Sequence, residues 1–236
     1  MIAHPDHSVK ARILLASASP RRRELIQLLG LPVETTSADI DEDPLPGERA
    51  DALALRLSVA KAHAVTPAYS NTTSAHRDEQ TFIVLASDTV VSLEGEPLGK
   101  PRDADEARLM LQRLRNRTHQ VYTGLALIDV NTARIVTDLA SSDVRMRAYA
   151  DAEIETYIAS GDPFDKAGAY AIQHRGFHPA DRFDHCFANV MGLPLCHVTR
   201  SLRQLGIEPR STVPTACQSH LRYVCPVFEP ILSQKT

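Results

Sequence analysis

No run of about 18 apolar residues occurs anywhere in the chain, which excludes a membrane-spanning helix. The first residues, MIAHPDHSVKAR, lack the apolar stretch of a secretion signal, so a cytoplasmic location is the expectation. Charge of one sign is also missing: 26 Lys and Arg stand against 29 Asp and Glu, a formal net charge of -3. That balance argues against nucleic-acid or membrane-surface binding and leaves anion affinity to local clusters. Cysteine is scarce. Cys186, Cys196, Cys217 and Cys225 contain no CxxC pair, and their spacing fits no zinc-finger pattern, so they read as free thiols of a reducing compartment. GxGxxG, HExxH and GxSxG are absent. GEPLGKP (95–101) is one residue short of a Walker A loop and has Pro101 where that loop needs Ser or Thr.

What remains is an ordinary soluble composition, 43% hydrophobic and 23% charged over 236 residues, enough for one generous domain. RILLAS (12–17) reads as a buried strand feeding SASPRRREL, where Ser19 suits an N-cap and Pro20 the first helical position. Acidic, proline-containing 38–48 reads as a loop, and Leu53, Leu57, Ala60 and Ala64 mark a helix over 48–65. Polar 66–80 reads as a mobile loop. FIVLASDTVVSL (82–93) is the strongest strand signal, followed by a short return strand and a helix carrying Ala107, Met110, Leu111 and Leu114. Residues 121–130 and 134–149 form a hairpin pattern, with further helices near 151–160 and 193–205. This alternation with a long hairpin predicts a mixed-sheet α/β fold. The chain divides into a lead-in (1–11), a main domain (12–207) and an extension (208–236) without steady period.

Four polar clusters interrupt well-patterned segments. Arg21, Arg22 and Arg23 fall in a first helical turn, where each cation costs roughly 0.3–1 kcal/mol unless an anion offsets it. With Ser17 and Ser19 they make a phosphate-facing turn between strand and helix. Asp39, Asp41, Glu42 and Asp43 are a solvated loop or, beside such cations, carboxylate ligands for Mg²⁺. Asp88, between Ser87 and Thr89, is a carboxylate inside an apolar strand, which needs a hydrogen bond, a metal or a cleft. Lys100 is a cation on a stiff Gly-Lys-Pro loop.

LASASPRRREL, the acidic loop with Asp41 and Glu42, the SVAKA helix around Lys61, ASDTVV, GKP, HQVYTG, DKAGAYAIQ and NVMGLP follow one another in an order that resembles the Maf proteins. The resemblance spans about residues 12–207. It implies an α/β fold: a bent mixed sheet flanked by helices, two lobes around a deep cleft, similar to inosine triphosphate pyrophosphatases. It also implies a hydrolase that splits a nucleoside triphosphate into monophosphate and pyrophosphate with a divalent metal, Mg²⁺ or Mn²⁺. By the same resemblance Asp88 is the proton acceptor; the chemistry such a reaction needs makes Glu42, with Asp88, the candidate metal ligands. Ser19, Arg22, Lys61 and Lys100 serve the phosphates. Arg21, Thr89 and Gln173 occupy the positions that separate specificities, and their combination resembles the dTTP/UTP group. Pyrophosphatases for 7-methyl-GTP or other non-standard purine nucleotides, and a nucleotide-binding division regulator with weak hydrolysis, are the alternatives. A homodimer is implied; a membrane or nucleic-acid partner is not. Ala171 and His174 stand where the family usually has glycine, which bears on the base pocket.

Overall fold

The computed structural model describes residues 10–70 and 80–234. Six strands make one sheet: β1 (Lys10–Ala16), β2 (Val33–Thr36), β3 (Gln80–Leu93), β4 (Glu96–Leu98), β5 (Thr118–Asp129) and β6 (Ile135–Arg145). Their order is β2-β1-β3-β5-β6, with β4 paired to β3. β2, β1 and β3 run parallel, while β4, β5 and β6 join antiparallel. The mixed, helix-flanked sheet is the expected one. The half-exposed β2 went unread because VETT is too short and too polar to announce a strand.

Alternation along β3 assigns its residues to two faces. Ile83 and Leu85 join Ile13, Leu15, Leu125 and Leu127 in a core closed by α1 (Pro20–Ile26) and, much later in the chain, by Leu195, Val198 and Leu202. Val91 and Leu93 face the same way but belong to a second core. There they meet Met110, Leu111 and Leu114 of α3 (Ala104–Leu114) and Ile154, Tyr157 and Ile158 of α4 (Asp151–Ala159). On the opposite face Val84, Ala86, Ala126 and Ile128 pack against α2 (Ala50–Ser70). Ser87 and Thr89 therefore sit at the seam between the first two cores.

α2 differs from its expected course in two ways. It continues through residues 66–70, expected as loop, and residues 71–79 of that segment lie outside the described residues. Its buried stripe runs through Leu53, Ala54, Leu57, Ser58, Lys61, Ala62 and Val65, leaving Ala64 exposed. Lys61 is thus on the buried face. The helix sits so close to β5 that a Cβ on Gly124 would lie 2.3 Å from the Ala54 carbonyl oxygen.

α5 (Phe187–Val190) and α6 (Leu195–Gln204) close the first core, and the extension adds α7 (Val213–Leu221) and α8 (Phe228–Ser233). Arg210 donates its amide to the Leu29 carbonyl, and the Ser211 hydroxyl bonds the Leu28 carbonyl. Arg200 of α6 forks onto Asp138 of β6, Nη2 at 2.7 Å and Nε at 3.0 Å, while Nη1 reaches the Ile231 carbonyl of α8. The extension is helical and packed, though its prolines hide any period.

Candidate active site

β1 pairs with β3 only as far as Leu15–Leu85, and β4 rejoins it at Val91–Leu98. On that side residues 86–90 of β3 have no strand neighbour among the described residues. The gap opens beyond the carboxyl end of β1, the place where α/β sheets bind ligands. A cavity of about 410 Å³ lies there. Its wall carries five cations (Arg21, Arg22, Lys61, Lys100, Lys166) and four carboxylates (Glu42, Asp43, Asp88, Asp165).

The strand-to-helix turn forms as its residues dictate. Ser19 is the N-cap, its hydroxyl accepting from the Arg22 amide at 3.5 Å, and Pro20 opens α1. The three arginines then separate. Arg21 lies 3.6 Å from Asp165 on the far wall. Arg22 turns inward: Nε donates to Gly192 O at 2.9 Å, Nη1 to Ser87 O at 2.7 Å and Nη2 to Thr89 Oγ1 at 3.0 Å. The guanidinium thereby satisfies a β3 carbonyl that no strand reaches. Burial pulls the Arg22 pKa down, against the attraction of Asp88. Arg23 points to Ser17 O at 3.4 Å and is outside the cavity lining.

Asp88 and Lys61 are both buried, and Lys61 Nζ lies 2.5 Å from Asp88 Oδ1 and 2.6 Å from Glu42 Oε1. One ammonium thus spans the two carboxylates. Burial pushes the Glu42 carboxyl up, but the hydrogen bond and charge of Lys61, with Lys100 and Arg22, hold it below its ordinary value. Thr89 shares a 2.9 Å hydrogen bond with Thr123, whose hydroxyl donates to Asn189 O. Gly192 closes the floor at φ +100°, and a Cβ there would be 2.9 Å from Arg22 Nε.

Ser19, Arg21, Arg22, Glu42, Lys61, Asp88, Thr89, Lys100 and Gln173 all line this one cavity. Sequence reasoning did not single out Thr123, Asn189 or Gly192 within HQVYTG and NVMGLP, because their partners Thr89, Ser142, Arg22 and Ser87 lie far along the chain from them. Lys166 is buried, held by the Asp162 carbonyl and the Asp165 carboxylate, and so fixes the wall opposite Arg21. Ala171 lines the cavity and donates its amide to Tyr157 OH at 2.9 Å. His174 is not in the lining; its ring packs on Tyr157 and its Nδ1 accepts from the Phe177 amide. Of the two glycine replacements, only Ala171 reaches the pocket.

Cationic donors and carboxylates thus converge on one cavity at the sheet gap. The residues fit a divalent cation as well. Glu42 and Asp88 are two carboxylates held close by a shared lysine, and would offer the one or two hard oxygen ligands that Mg²⁺ takes from protein when substrate phosphates supply more. Among the described residues no group of three or more metal-ligating side chains exists, so protein alone does not complete a coordination shell. The wall's small excess of cations also falls short of a polyphosphate's charge.

Comparison with known proteins places the chain. The Maf-like protein family matches residues 12–205, and the chain belongs to the Maf family. A dTTP/UTP pyrophosphatase of Chromobacterium violaceum is 44% identical over 197 residues, covering 84% of this chain and 96% of that one. A Myxococcus xanthus protein of the same name is 45% identical, covering 83% and 93%, and one from Geotalea uraniireducens 41%, covering 84% and 96%. Among solved structures, the Ham1 protein of Staphylococcus aureus aligns over 58% of this chain and 72% of its own at TM-score 0.36 and 16% identity.

Proposed function

We propose that this protein hydrolyses dTTP and UTP to the monophosphate and pyrophosphate, the activity for which its relatives are named. The observation that carries the reading is the Glu42–Lys61–Asp88 chain on the wall of a cation-rich sheet gap. Water attacks the α-phosphorus; its oxygen bonds to phosphorus, the bridge to the pyrophosphate oxygen breaks, and Asp88 takes the proton. Such a reaction needs charge stabilisation and positioning more than covalent help. Arg21, Lys61 and Lys100 supply the charge with Ser19, whereas Arg22 has its forks on the protein and holds β3 and Gly192 in place. Glu42 and Asp88 would hold Mg²⁺ or Mn²⁺ together with the substrate. When bound, the cation neutralises phosphate oxygens and polarises the reacting centre.

Gln173, exposed on the rim, offers an amide donor and acceptor that match the N3–H and adjacent carbonyl of uracil or thymine. The Arg21–Asp165 contact and Thr89 set the wall beside it. Residues 12–207 form the catalytic unit in this reading, and 208–236 a packed extension. No helix among the described residues is long and apolar enough to cross a membrane, in keeping with a cytoplasmic nucleotide pool. A homodimer, which family resemblance implies, is checked by light scattering.

Pyrophosphate release across a triphosphate panel tests the reading. The expected result is the highest kcat/KM for dTTP and UTP; preference for 7-methyl-GTP or another purine nucleotide overturns the base assignment. Asp88→Asn is expected to lower kcat by about 10²–10⁴-fold. Unchanged turnover would remove Asp88 from its role.

A further inference from the structure

All four cysteines, spread over residues 186–225, line one slot away from the catalytic cleft. Cys186, Cys196, Cys217 and Cys225 line one narrow apolar slot with Leu221 and Phe228, and all four are free thiols. Cys186 is buried at the entrance of α5, in the catalytic unit. Cys225 is half-buried in the turn between α7 and α8, beside the 86% exposed Val224. Cys186 and Cys225 face the same slot, and each thiol acts on the titration of the other.

Their juxtaposition is held from both sides. The Cys225 amide donates to Gln218 Oε1 at 2.9 Å. Two residues earlier, Tyr223 OH donates to the carbonyls of Phe183 at 3.0 Å and His185 at 2.9 Å. His185 adjoins Cys186 in the chain, so the extension is pinned beside Cys186, two residues from Cys225.

We propose that Cys186 and Cys225 are a dithiol modification site, converted by low-molecular-weight disulfides into an internal disulfide that staples the extension to the catalytic unit. Their environments divide the labour. The hydrogen bond from Cys186, with the backbone amides of Val227 and Phe228, draws the Cys225 thiol down to about 6. The same hydrogen bond, and then burial, pushes Cys186 well up. Cys225, acidic and partly accessible, is the attacking thiolate. Its sulfur bonds to one sulfur of the small disulfide, whose S–S bond breaks and releases one thiolate. Cys186 gives its proton to that thiolate, bonds to the Cys225 sulfur and expels the second. Two protein thiols are oxidised and one disulfide is reduced to two small thiols. Burial first raises Cys196 to about 12 and Cys217 to about 11, so they are the slow internal controls.

The test treats the full chain with excess oxidised glutathione, quenches by acid and alkylation, and maps peptides without reduction. The expected result is one intramolecular Cys186–Cys225 peptide, loss of two of the four free thiols, and full reversal by dithiothreitol. Cys217→Ser keeps that cross-link and Cys225→Ser abolishes it. A stable glutathione adduct on Cys225, a bond to Cys196 or Cys217, a disulfide between molecules, or four unreacted thiols would each overturn the proposal. Mapping of the unsubstituted chain decides by itself if a variant fails to fold.

Discussion

Replacing Arg22 by lysine keeps one positive charge but removes the planar fork that joins α1 to β3 and Gly192. An ammonium cannot reach all three acceptors, so Arg22→Lys is expected to cost about 2–3 kcal/mol in urea unfolding and to lower turnover. Two other buried side chains set a pH dependence. Burial lowers His119 to about 4, against Asp143, and its Nε2 meets Tyr170 OH. Burial likewise lowers His197 to about 4, with Asp138 opposing and Arg200 assisting. Between pH 6.5 and about 4 the unfolded chain binds protons that the folded one refuses, so stability falls as pH drops through that window. The slope reaches about 1.4 kcal/mol per pH unit for each histidine, and above 6.5 neither contributes. Urea midpoints at pH 7 and pH 5, with His119→Phe flattening the difference, check this. Asp88 was legible because a carboxylate in FIVLASDTVV demands an explanation, and Ser19 because its capping is local. The inward turn of Arg22 was not, since two of its three acceptors are backbone carbonyls on Ser87 and Gly192, 65 and 170 residues away.

α2 is the element on which the site depends most, because it carries Lys61 while resting directly on β5. Gly124→Ala would drive a Cβ into the Ala54 carbonyl, and backbone cannot step aside as a flexible side chain does. The expected loss is about 2–3 kcal/mol, read by denaturant unfolding, with weaker activity as Lys61 moves off Asp88. The helix itself was plain from its period, yet the placement of its face was not. Reading Ala60 and Ala64 as the stripe set it slightly off, whereas the stripe through Leu57, Lys61 and Val65 buries the lysine. A lysine at a buried position of an apolar stripe is a signal that sequence alone holds. β3, α3 and α4 were clear from their own patterns. α7 was not, because its partners lie near Leu29 and in α6, outside any local window.

Across the whole molecule, the extension ties the first core shut without touching the cleft, whose lining ends at Gly192. Removing residues 208–236 uncovers part of that core, including the contacts of Val213 and Leu221, and frees Arg200 from α8. Stability should fall by several kcal/mol, on the order of 3–5, while kcat at low temperature stays within a few-fold. Calorimetry with pyrophosphate-release assays separates the two effects. Divalent cation binding should be weak in the free protein and tighten with a non-hydrolysable triphosphate, which titration calorimetry measures. The interrupted sheet has a further consequence, for solubility. Unpaired main chain usually invites a strand from another molecule. At the gap the free edge among the described residues is short, residues 86–90, set in a concave, charged wall between β1 and β4, with one carbonyl already taken by Arg22. A foreign strand finds neither the length nor the access to pair there. The gap thus keeps backbone open to a small ligand while staying closed to a second strand.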